Sequence, residues 1–410
     1  MIRRFERTRK NQVQFCDLFF SFPPVKSSIH IKLRNAFSFF WQTRHFGFTL
    51  LRMNHWKQRS TTNLDVVYFD YEPKAQIQSS PEVYIWDLDK TYLDTSIDSL
   101  GSLVRTVFEK AFTKKNVPGT QSLIRSLGRY RKKNFLEDDL PIFFVSASPP
   151  QMESKIYEKF LLDQIKPVGM FYKDNLRNLA PKRILFLKKQ VGYKVQSLLQ
   201  LRTRLSPDVR MLCFGDDSES DANIYNLFSD ICARRHTENQ LIEILDDFGV
   251  THAQIDEILR LQSLIPVQDP VEKIYINLAT DTDPEYYLKF GRRTFPTSNT
   301  FQVALDLVQD QRLSLEELGS IIDDLTQKYG FTFDQLVFSF EELTRRRILG
   351  LSGFEMIKNY FIEKKMISLS WTTKAEPLRE KVIDAGHVYE LEGFFEPWIA
   401  NHIDYFNDYR

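Results

Sequence analysis

The sequence predicts an α/β fold, in which a parallel β-sheet carries helices on both faces. Short apolar runs such as "VYIWDL", "PIFFVSAS" and "VRMLCFGDD" have the length and composition of buried strands. Longer stretches with apolar residues at helical spacing separate these runs. Alternation of this kind is typical of a three-layer α/β sandwich with a parallel sheet. The 410 residues, 42% of them hydrophobic and 27% charged, suffice for two or three globular domains.

The elements follow in order from about Val83. Helices are predicted in "IDSLGSLVRTVFEKAFTKK", "GTQSLIRSLGRYRKK", "PPQMESKIYEKFLLDQI", most of "RNLAPKRILFLKKQVGYKVQSLLQLRTRL", and "ESDANIYNLF". Further strands are predicted in "VGMFYKD", "SDICARRH" and "PVEKIYINLA". The remainder of the chain reads as mainly helical, beginning with "TFQVALDLVQDQ". We therefore expect a catalytic α/β domain over residues 61–265 and a mainly helical C-terminal region over residues 266–410.

The first 60 residues differ from the rest of the chain, since they contain 12 Lys and Arg residues but only two acids, Glu6 and Asp17. Aromatic residues are interspersed among the basic residues of this segment, as in "FSFFWQTRHFGF". Four interpretations stay open: a disordered tail, a segment that lies on an anionic membrane surface, a transit-type leader, or translation upstream of a true start at Met53.

Charge and composition exclude several classes. The 55 Lys and Arg residues balance 54 Asp and Glu residues, so a globally basic nucleic-acid binder is not expected. No apolar run reaches the ~18 residues that a transmembrane helix requires. Three cysteines, Cys16, Cys213 and Cys232, have neither metal-site spacing nor a disulfide framework, which favours the cytoplasm. The chain also has no G-x-S-x-G and no G-x-x-x-x-G-K-S/T motif, so a serine-hydrolase elbow and a P-loop are disfavoured.

Polar side chains follow the predicted strands at the edge where parallel sheets bind ligands. The first strand ends in Asp87 with Asp89 two residues later, and the second ends in Ser146. We expect Asp87 to attack a phosphorus atom and Asp89 to act as general acid and base. Lys194 adds a positive charge that faces phosphate and Asp87, and Ser146 adds a hydroxyl donor.

So many carboxylates would repel an anionic phosphate unless a hard divalent cation lay between them. Mg²⁺ suits a site made of carboxylates, phosphate and water. Its expected ligands are Asp87, the main-chain carbonyl of Asp89, and Asp216. Further candidate ligands are Asp217 and Asp221, and candidate substrate-binding residues are Thr91, Ser148 and Lys173. Lys182 competes with Lys194 for the lysine role, and the spacing to the "GDD" acids favours Lys194.

Four segments in this order, "WDLDKTYLDT", "FFVSAS", "GYKVQSLL" and "FGDDSESD", resemble the four signature motifs of the haloacid dehalogenase superfamily of hydrolases. Within it, "VSASP" and "FGDDSESDANIY" are similar to the phosphatidate phosphatase-type subgroup known from actin-patch proteins. The resemblance spans roughly residues 83–235 and implies a three-layer Rossmann-like sheet. That subgroup carries a small residue where Asp217 stands, so Asp217 is either an extra ligand or only a neighbour.

The intervals from Thr95 to Pro141 and from Pro149 to Lys194 are too short for the large cap domain that many such hydrolases carry. An open site accepts large phosphorylated substrates, such as lipids or proteins. The expected function is a Mg²⁺-dependent phosphomonoester hydrolase that uses an aspartyl-phosphate and acts on phosphatidate or another large substrate. The alternative is a binding protein that keeps this fold with little turnover.

Overall fold

The computed structural model describes residues 55–71, 80–94, 115–135, 140–174, 190–218, 220–378, 389–391 and 394–407. Contacts divide the chain into two units, 1–55 and 56–410, and the description below concerns the second. The predictions for the leader and for a start at Met53 lie almost wholly outside the described residues. Residues 97–114 of the helix predicted over residues 97–115 also lie outside them, as does the competing Lys182.

The described part of the chain forms a sheet of eight strands: β1 (Ser60–Asn63), β2 (Val66–Asp70), β3 (Glu82–Asp87), β4 (Ile142–Ser146), β5 (Gly169–Lys173), β6 (Arg210–Asp216), β7 (Val271–Asn277) and β8 (Thr294–Thr297). Their order across the sheet is β1-β2-β5-β4-β3-β6-β7-β8. The six strands from β5 to β8 in this order are parallel, whereas β1 pairs with β2, and β2 with β5, in antiparallel fashion. A separate hairpin pairs β9 (Tyr389–Leu391) with β10 (Phe394–Glu396).

Helices cover both faces of the sheet, which gives three layers. They are α1 (Thr120–Phe135), α2 (Glu153–Leu162), α3 (Val191–Arg202), α4 (Asp221–Ala233), α5 (Glu238–Asp247), α6 (His252–Leu264), α7 (Thr300–Gln309), α8 (Leu315–Tyr329), α9 (Phe333–Arg345) and α10 (Leu351–Glu363). Short 3-10 helices lie at His55–Gln58, Pro150–Met152 and Pro284–Phe290. The predicted α/β fold with a parallel sheet and a mainly helical C-terminal region is confirmed.

Each face of the sheet has its own hydrophobic core. One core joins the sheet to α1, α2 and the helices α7 to α10, and the other joins it to α3 to α6. All six residues of β3 are buried, because helices cover the strand on both sides. This explains why "VYIWDL" reads as a continuous apolar run without the alternation of a half-exposed strand.

The strand predicted in "SDICARRH" is wrong, since Ser229 to Ala233 form the last turns of α4. Residues 221–232 of this helix are all buried, so its apolar residues show no one-sided helical pattern. The helix ends at Arg234, whose backbone is left-handed and whose N–H donates to the carbonyls of Asp230 and Ile231. Helix α4 therefore begins at the acidic motif and continues through the residues that the sequence predicts to be a strand.

The segment after residue 265 joins the sheet that the preceding segment builds. Strand β7 pairs with β6 along Met211 to Asp216, and β8 pairs with β7. Helices α8, α9 and α10 all contact α7, and α8 also contacts α1. Within the two intervals in which a cap could stand, the described residues contribute α1, α2, β5 and the start of α3 to the three layers. Residues 95–114, 136–139 and 175–189 of these intervals lie outside the described part.

Candidate active site

Three neighbouring strands deliver the predicted polar residues to one edge of the sheet. Strands β4, β3 and β6 lie side by side and parallel, and they end at Ser146, Asp87 and Asp216. Asp87 pairs in register with Val145 of β4, and Trp86 pairs with Phe214 of β6. The carboxyl ends therefore coincide, as the parallel arrangement requires.

Lys194 lies between two carboxylates. Its Nζ is 2.8 Å from Asp87 Oδ1 and 2.5 Å from Asp221 Oδ1, and the exposed fraction of each of the three residues is 1% or less. A buried charge is expensive unless it is paired and hydrogen-bonded, so this ammonium and its two carboxylates support one another. Helix α3 carries Lys194, and all twelve of its residues are buried, which fixes the lysine firmly against the sheet.

Asp221 is held by the acidic loop that precedes it. Its Oδ2 accepts a hydrogen bond of 3.2 Å from Asp216 N, and it is the first residue of α4, where a carboxylate is favoured by the helix dipole. A Cβ atom on Gly215 would lie 2.5 Å from Asp221 Oδ2. Only glycine therefore leaves room at this strand position for the aspartate behind it.

The acidic cluster formed by Asp87, Asp216 and Asp221 fits a divalent cation. Each residue offers a carboxylate oxygen within 4.8 Å of the other two, and all three are buried. When ionised, three carboxylates against the one ammonium of Lys194 leave two negative charges in excess. Two unit charges 4 Å apart repel by about 4 kcal/mol at an effective dielectric near 20. Oxygen ligands of this kind and an excess of negative charge suit a hard divalent cation.

Asp89 lies in a tight turn beyond β3. Lys90 N donates to the carbonyl of Leu93 at 2.7 Å, and Lys90 has the left-handed value φ = 57°. The hydroxyls of Ser146 and Ser148 lie 3.4 and 3.5 Å from Asp89 Oδ2. The turn thus places Asp89 beside the end of β4, where both serines were predicted to contribute.

Three further candidates differ in their surroundings. Thr91 is buried, and its Oγ1 has no hydrogen-bond partner among the described residues. Lys173, at the end of β5, is buried with its Nζ 5.9 Å from the centre of the Tyr193 ring. Asp217 does not belong to the acidic cluster, because its carboxylate accepts hydrogen bonds from Ala279 N at 2.9 Å and from the hydroxyl of Thr282.

Tyr193 and Asn277 are site neighbours that the sequence reasoning missed. The Tyr193 hydroxyl donates to the carbonyl of Ser146 at 2.7 Å, and burial raises the pKa of this tyrosine well above its usual value. The Asn277 amide donates to the carbonyl of Lys90 at 3.2 Å. Tyr193 adjoins Lys194 in the sequence and could have been found there, whereas Asn277 is 187 residues from its partner and belongs to no motif.

A small pocket opens beside Asp89. Its walls are mostly apolar, with one lysine, and it is lined by Leu88, Asp89, Leu93, Ser148, Met152, Ile156 and Lys159. Asp89 and Ser148, two of the polar lining residues, also contact one another. The volume of the pocket, about 10 Å³, has room for roughly one water molecule.

Residues 83–244 match the family model described as phosphatidate phosphatase APP1, catalytic domain. This is a haloacid dehalogenase-like family of phosphoric monoester hydrolases, so the resemblance of the motifs and the prediction of a phosphatase are confirmed over that segment. Neither a curated protein nor a solved structure matches the chain. Within the described residues, no helix combines the length and hydropathy needed to cross a bilayer.

Proposed function

Because residues 83–244 belong to the phosphatidate phosphatase APP1 catalytic-domain family, we propose that the chain is a Mg²⁺-dependent phosphatase that hydrolyses phosphatidate through an aspartyl-phosphate at Asp87. The observation that carries this proposal is the Lys194 ammonium held between Asp87 and Asp221, with Asp216 beside them. A nucleophilic carboxylate, a fixed cation and a cation-binding cluster are the groups that phosphoryl transfer needs.

In the first step, a carboxylate oxygen of Asp87 attacks phosphorus, and the bond from phosphorus to the leaving oxygen breaks. Asp89 donates a proton to that leaving oxygen, so the alcohol departs neutral. In the second step, Asp89 takes a proton from water, the water oxygen attacks phosphorus, and the Asp87 carboxylate is released with inorganic phosphate. Serines at positions 146 and 148 adjoin Asp89 and supply hydroxyl donors.

The cation and Lys194 would stabilise the negative charge that develops on the phosphoryl group. Asp87, Asp216 and the main-chain carbonyl of Asp89 would hold Mg²⁺, and Asp221 would bind it directly or orient Lys194. When bound, Mg²⁺ neutralises phosphoryl oxygens and lets the anionic substrate approach the carboxylates. Lys194 offsets the charge of Asp87 and Asp221 whether or not substrate is present.

The proposed substrate class rests on the family description. A cytoplasmic location is part of the proposal, since Cys213 and Cys232 are free thiols buried in the core. Asp217 is assigned to the loop that contains Ala279 and Thr282, where it stabilises the rim of the site.

The test compares phosphate release from phosphatidate in mixed micelles, from glycerol 3-phosphate and from p-nitrophenyl phosphate, each with Mg²⁺ and with EDTA. We expect Mg²⁺-dependent turnover, with kcat/KM highest for phosphatidate. The Asp87→Asn variant should fold as the wild type does and lose more than about a thousandfold in kcat. Equal activity in wild type and Asp87→Asn would contradict the proposal. Absence of activity on all three esters would also contradict it and would favour a binding protein with little turnover.

A further inference from the structure

Residues beyond the family segment reach into the proposed catalytic loops. Strand β7 lies at 271–277, outside residues 83–244, yet it pairs with β6 up to the Asp216 position. Its last residue, Asn277, is opposite Asp216 in the register. The N–H of Asp217 donates to the carbonyl of Asn277 at 3.2 Å. The backbone of Asn277 is thus tied to the loop that carries the second acidic motif.

The side chain of Asn277 is tied to the other catalytic loop. Its Nδ2 donates to the carbonyl of Lys90 at 3.2 Å, and Lys90 lies between Asp89 and Thr91. Asn277 therefore joins two loops. Its side chain binds the loop after β3, and its backbone binds the loop after β6. These are the two loops that carry the proposed ligands of Mg²⁺.

The bond to Lys90 acts at a strained position. Lys90 has φ = 57°, a left-handed conformation that is unfavourable for a residue with a side chain. Two hydrogen bonds hold it there, since Lys90 N donates to Leu93 O at 2.7 Å and Lys90 O accepts from Asn277. The first of these bonds involves the peptide unit that also contains the carbonyl of Asp89, because a planar peptide joins that carbonyl to Lys90 N.

We propose that Asn277 is a positioning residue for the cation site: its amide holds Lys90 in the left-handed conformation and thereby aims the Asp89 carbonyl at the Mg²⁺ shared with Asp87 and Asp216. This inference rests on the proposed function, because it assigns the Asp89 carbonyl to Mg²⁺. It also gives the C-terminal segment a role in the site, since the positioning residue lies outside residues 83–244.

The test measures Mg²⁺ affinity in the full chain, by calorimetric titration without substrate, alongside kcat and KM. Groups that orient metal ligands typically contribute 10–100-fold in affinity or activity. We expect Asn277→Ala to weaken Mg²⁺ binding by about tenfold or more and to lower kcat at limiting Mg²⁺, with part of the kcat regained at high Mg²⁺. The KM for substrate should change less than the Mg²⁺ affinity.

The matched control is Thr297→Val in the neighbouring strand. Thr297 lies beside Asn277 in the register, and its hydroxyl donates to the carbonyl of Ile276 at 3.2 Å. The control therefore removes one hydrogen bond from the same edge of the sheet but leaves Lys90 untouched. It should retain the Mg²⁺ affinity of the wild type. If Asn277→Ala fails to fold, Asn277→Ser takes its place, because serine is too short to bridge to Lys90.

The outcomes separate this inference from the proposed function. A wild type that binds Mg²⁺ and hydrolyses phosphate esters, with Asn277→Ala and Asn277→Ser equal to Thr297→Val in Mg²⁺ affinity, overturns the role of Asn277 alone. A wild type that neither binds Mg²⁺ nor turns over overturns both. A loss of thermal stability in Asn277→Ala with an unchanged Mg²⁺ affinity assigns Asn277 to the fold and likewise contradicts the inference.

Discussion

At the scale of single residues, Lys194 is the cation that offsets the carboxylates of the site. Its ammonium contacts Asp87 and Asp221 within 2.8 Å, so one fixed cation serves two carboxylates. Asp216, the third acid of the cluster, accepts a hydrogen bond from the backbone N–H of Ser218 at 2.5 Å. Lys194 offsets one of the three carboxylate charges, and a divalent cation bound between the three acids would offset the other two.

A substitution at Gly215 should displace the Asp221 carboxylate without removing a charge from the site. In Gly215→Ala, the new Cβ would meet Asp221 at 2.5 Å and push its carboxylate away from Lys194 and Asp216 N. We expect a 10–100-fold loss in Mg²⁺ affinity and kcat, measured by calorimetric titration and phosphate release. In Gly128→Ala, the control on α1, the new Cβ meets no atom closer than 3.9 Å, so activity should not change. Equal activity of the two variants would show that the position of Asp221 is unimportant.

Sequence alone predicts the residues of the site that belong to motifs, and their order along the chain is what makes this possible. Asp87, Lys194, Asp216 and Asp221 stand at strand ends or helix starts that a parallel sheet must bring together. Asn277 could not be predicted in this way. A lone asparagine at a strand end is common, and its partner Lys90 becomes a neighbour only through the register of β7 on β6.

At the scale of elements, helix α3 links the lysine to the strand ends. It is buried along its whole length, packed between the sheet, α4 and α6. Tyr193 adds a direct bond from this helix to the last residue of β4, through the carbonyl of Ser146. Because burial raises the pKa of Tyr193 well above its usual value, the hydroxyl remains a donor throughout the pH range of an assay.

Removal of that hydroxyl should loosen the helix. Tyr193→Phe leaves the carbonyl of Ser146 without its donor, and we expect the free energy of unfolding to fall by about 1–3 kcal/mol. Urea denaturation measures this change. The control Tyr130→Phe removes an exposed bond to the carbonyl of Gln311, where water can replace the hydroxyl, and should have a smaller effect. If the two variants are equally stable, the Tyr193 bond does not anchor α3.

Short apolar strands that end in polar residues were predictable from the sequence, whereas a helix buried on all sides and several short edge strands were not. Strands β3, β4 and β6 were found because each is a short apolar run that ends in polar residues. The end of α4 was mistaken for a strand because burial all round removes its periodicity. Strands β1 and β8 gave no clear signal, since "STTN" and "TFPT" are short and polar or contain proline. Strand β2, "VVYFD", was missed although it is a short apolar run.

At the scale of the whole molecule, buried ion pairs join the C-terminal segment to the sheet. Glu82, at the start of β3, contacts Arg131 of α1 at 2.8 Å and Arg312, which follows α7, at 3.1 Å. Lys273 of β7 contacts Asp306 of α7 at 2.8 Å, which joins the sheet to a helix that covers it. These residues are far apart in the sequence, and they meet at the end of the sheet opposite to the proposed catalytic loops. Because the contacts are long-range, the sequence alone does not show that the segment after residue 265 continues the α/β fold.

These pairs make the stability of the molecule dependent on pH. Burial alone would raise the pKa of Glu82, but Arg312, Arg131 and the Tyr84 hydroxyl outweigh it, so that the pKa lies below its ordinary value of 4.5. A lowered pKa in the folded state means that Glu82 stabilises the fold above about pH 4.5. This contribution is lost as the pH falls through the lower, folded-state value.

The Glu82→Gln variant tests this dependence. We expect its free energy of unfolding to be lower than that of the wild type by about 3 kcal/mol at pH 7, since it leaves buried arginines with a weaker partner. The difference should narrow in urea denaturation series as the pH falls below 4.5. Glu316→Gln, which removes an exposed pair with Lys133, should match the wild type throughout. A constant difference between Glu82→Gln and wild type at every pH would contradict the assigned role.

The central claim is that Asp87 carries the phosphoryl group during turnover. Its most direct test is chemical trapping: the enzyme is quenched during phosphatidate hydrolysis with Mg²⁺ present, reduced with borohydride and mapped by mass spectrometry. Reduction converts an aspartyl-phosphate into homoserine, and the account predicts this product at position 87, absent without substrate and absent in Asp87→Asn. Turnover with no modified aspartate at position 87, or with the modification at another carboxylate, would contradict it.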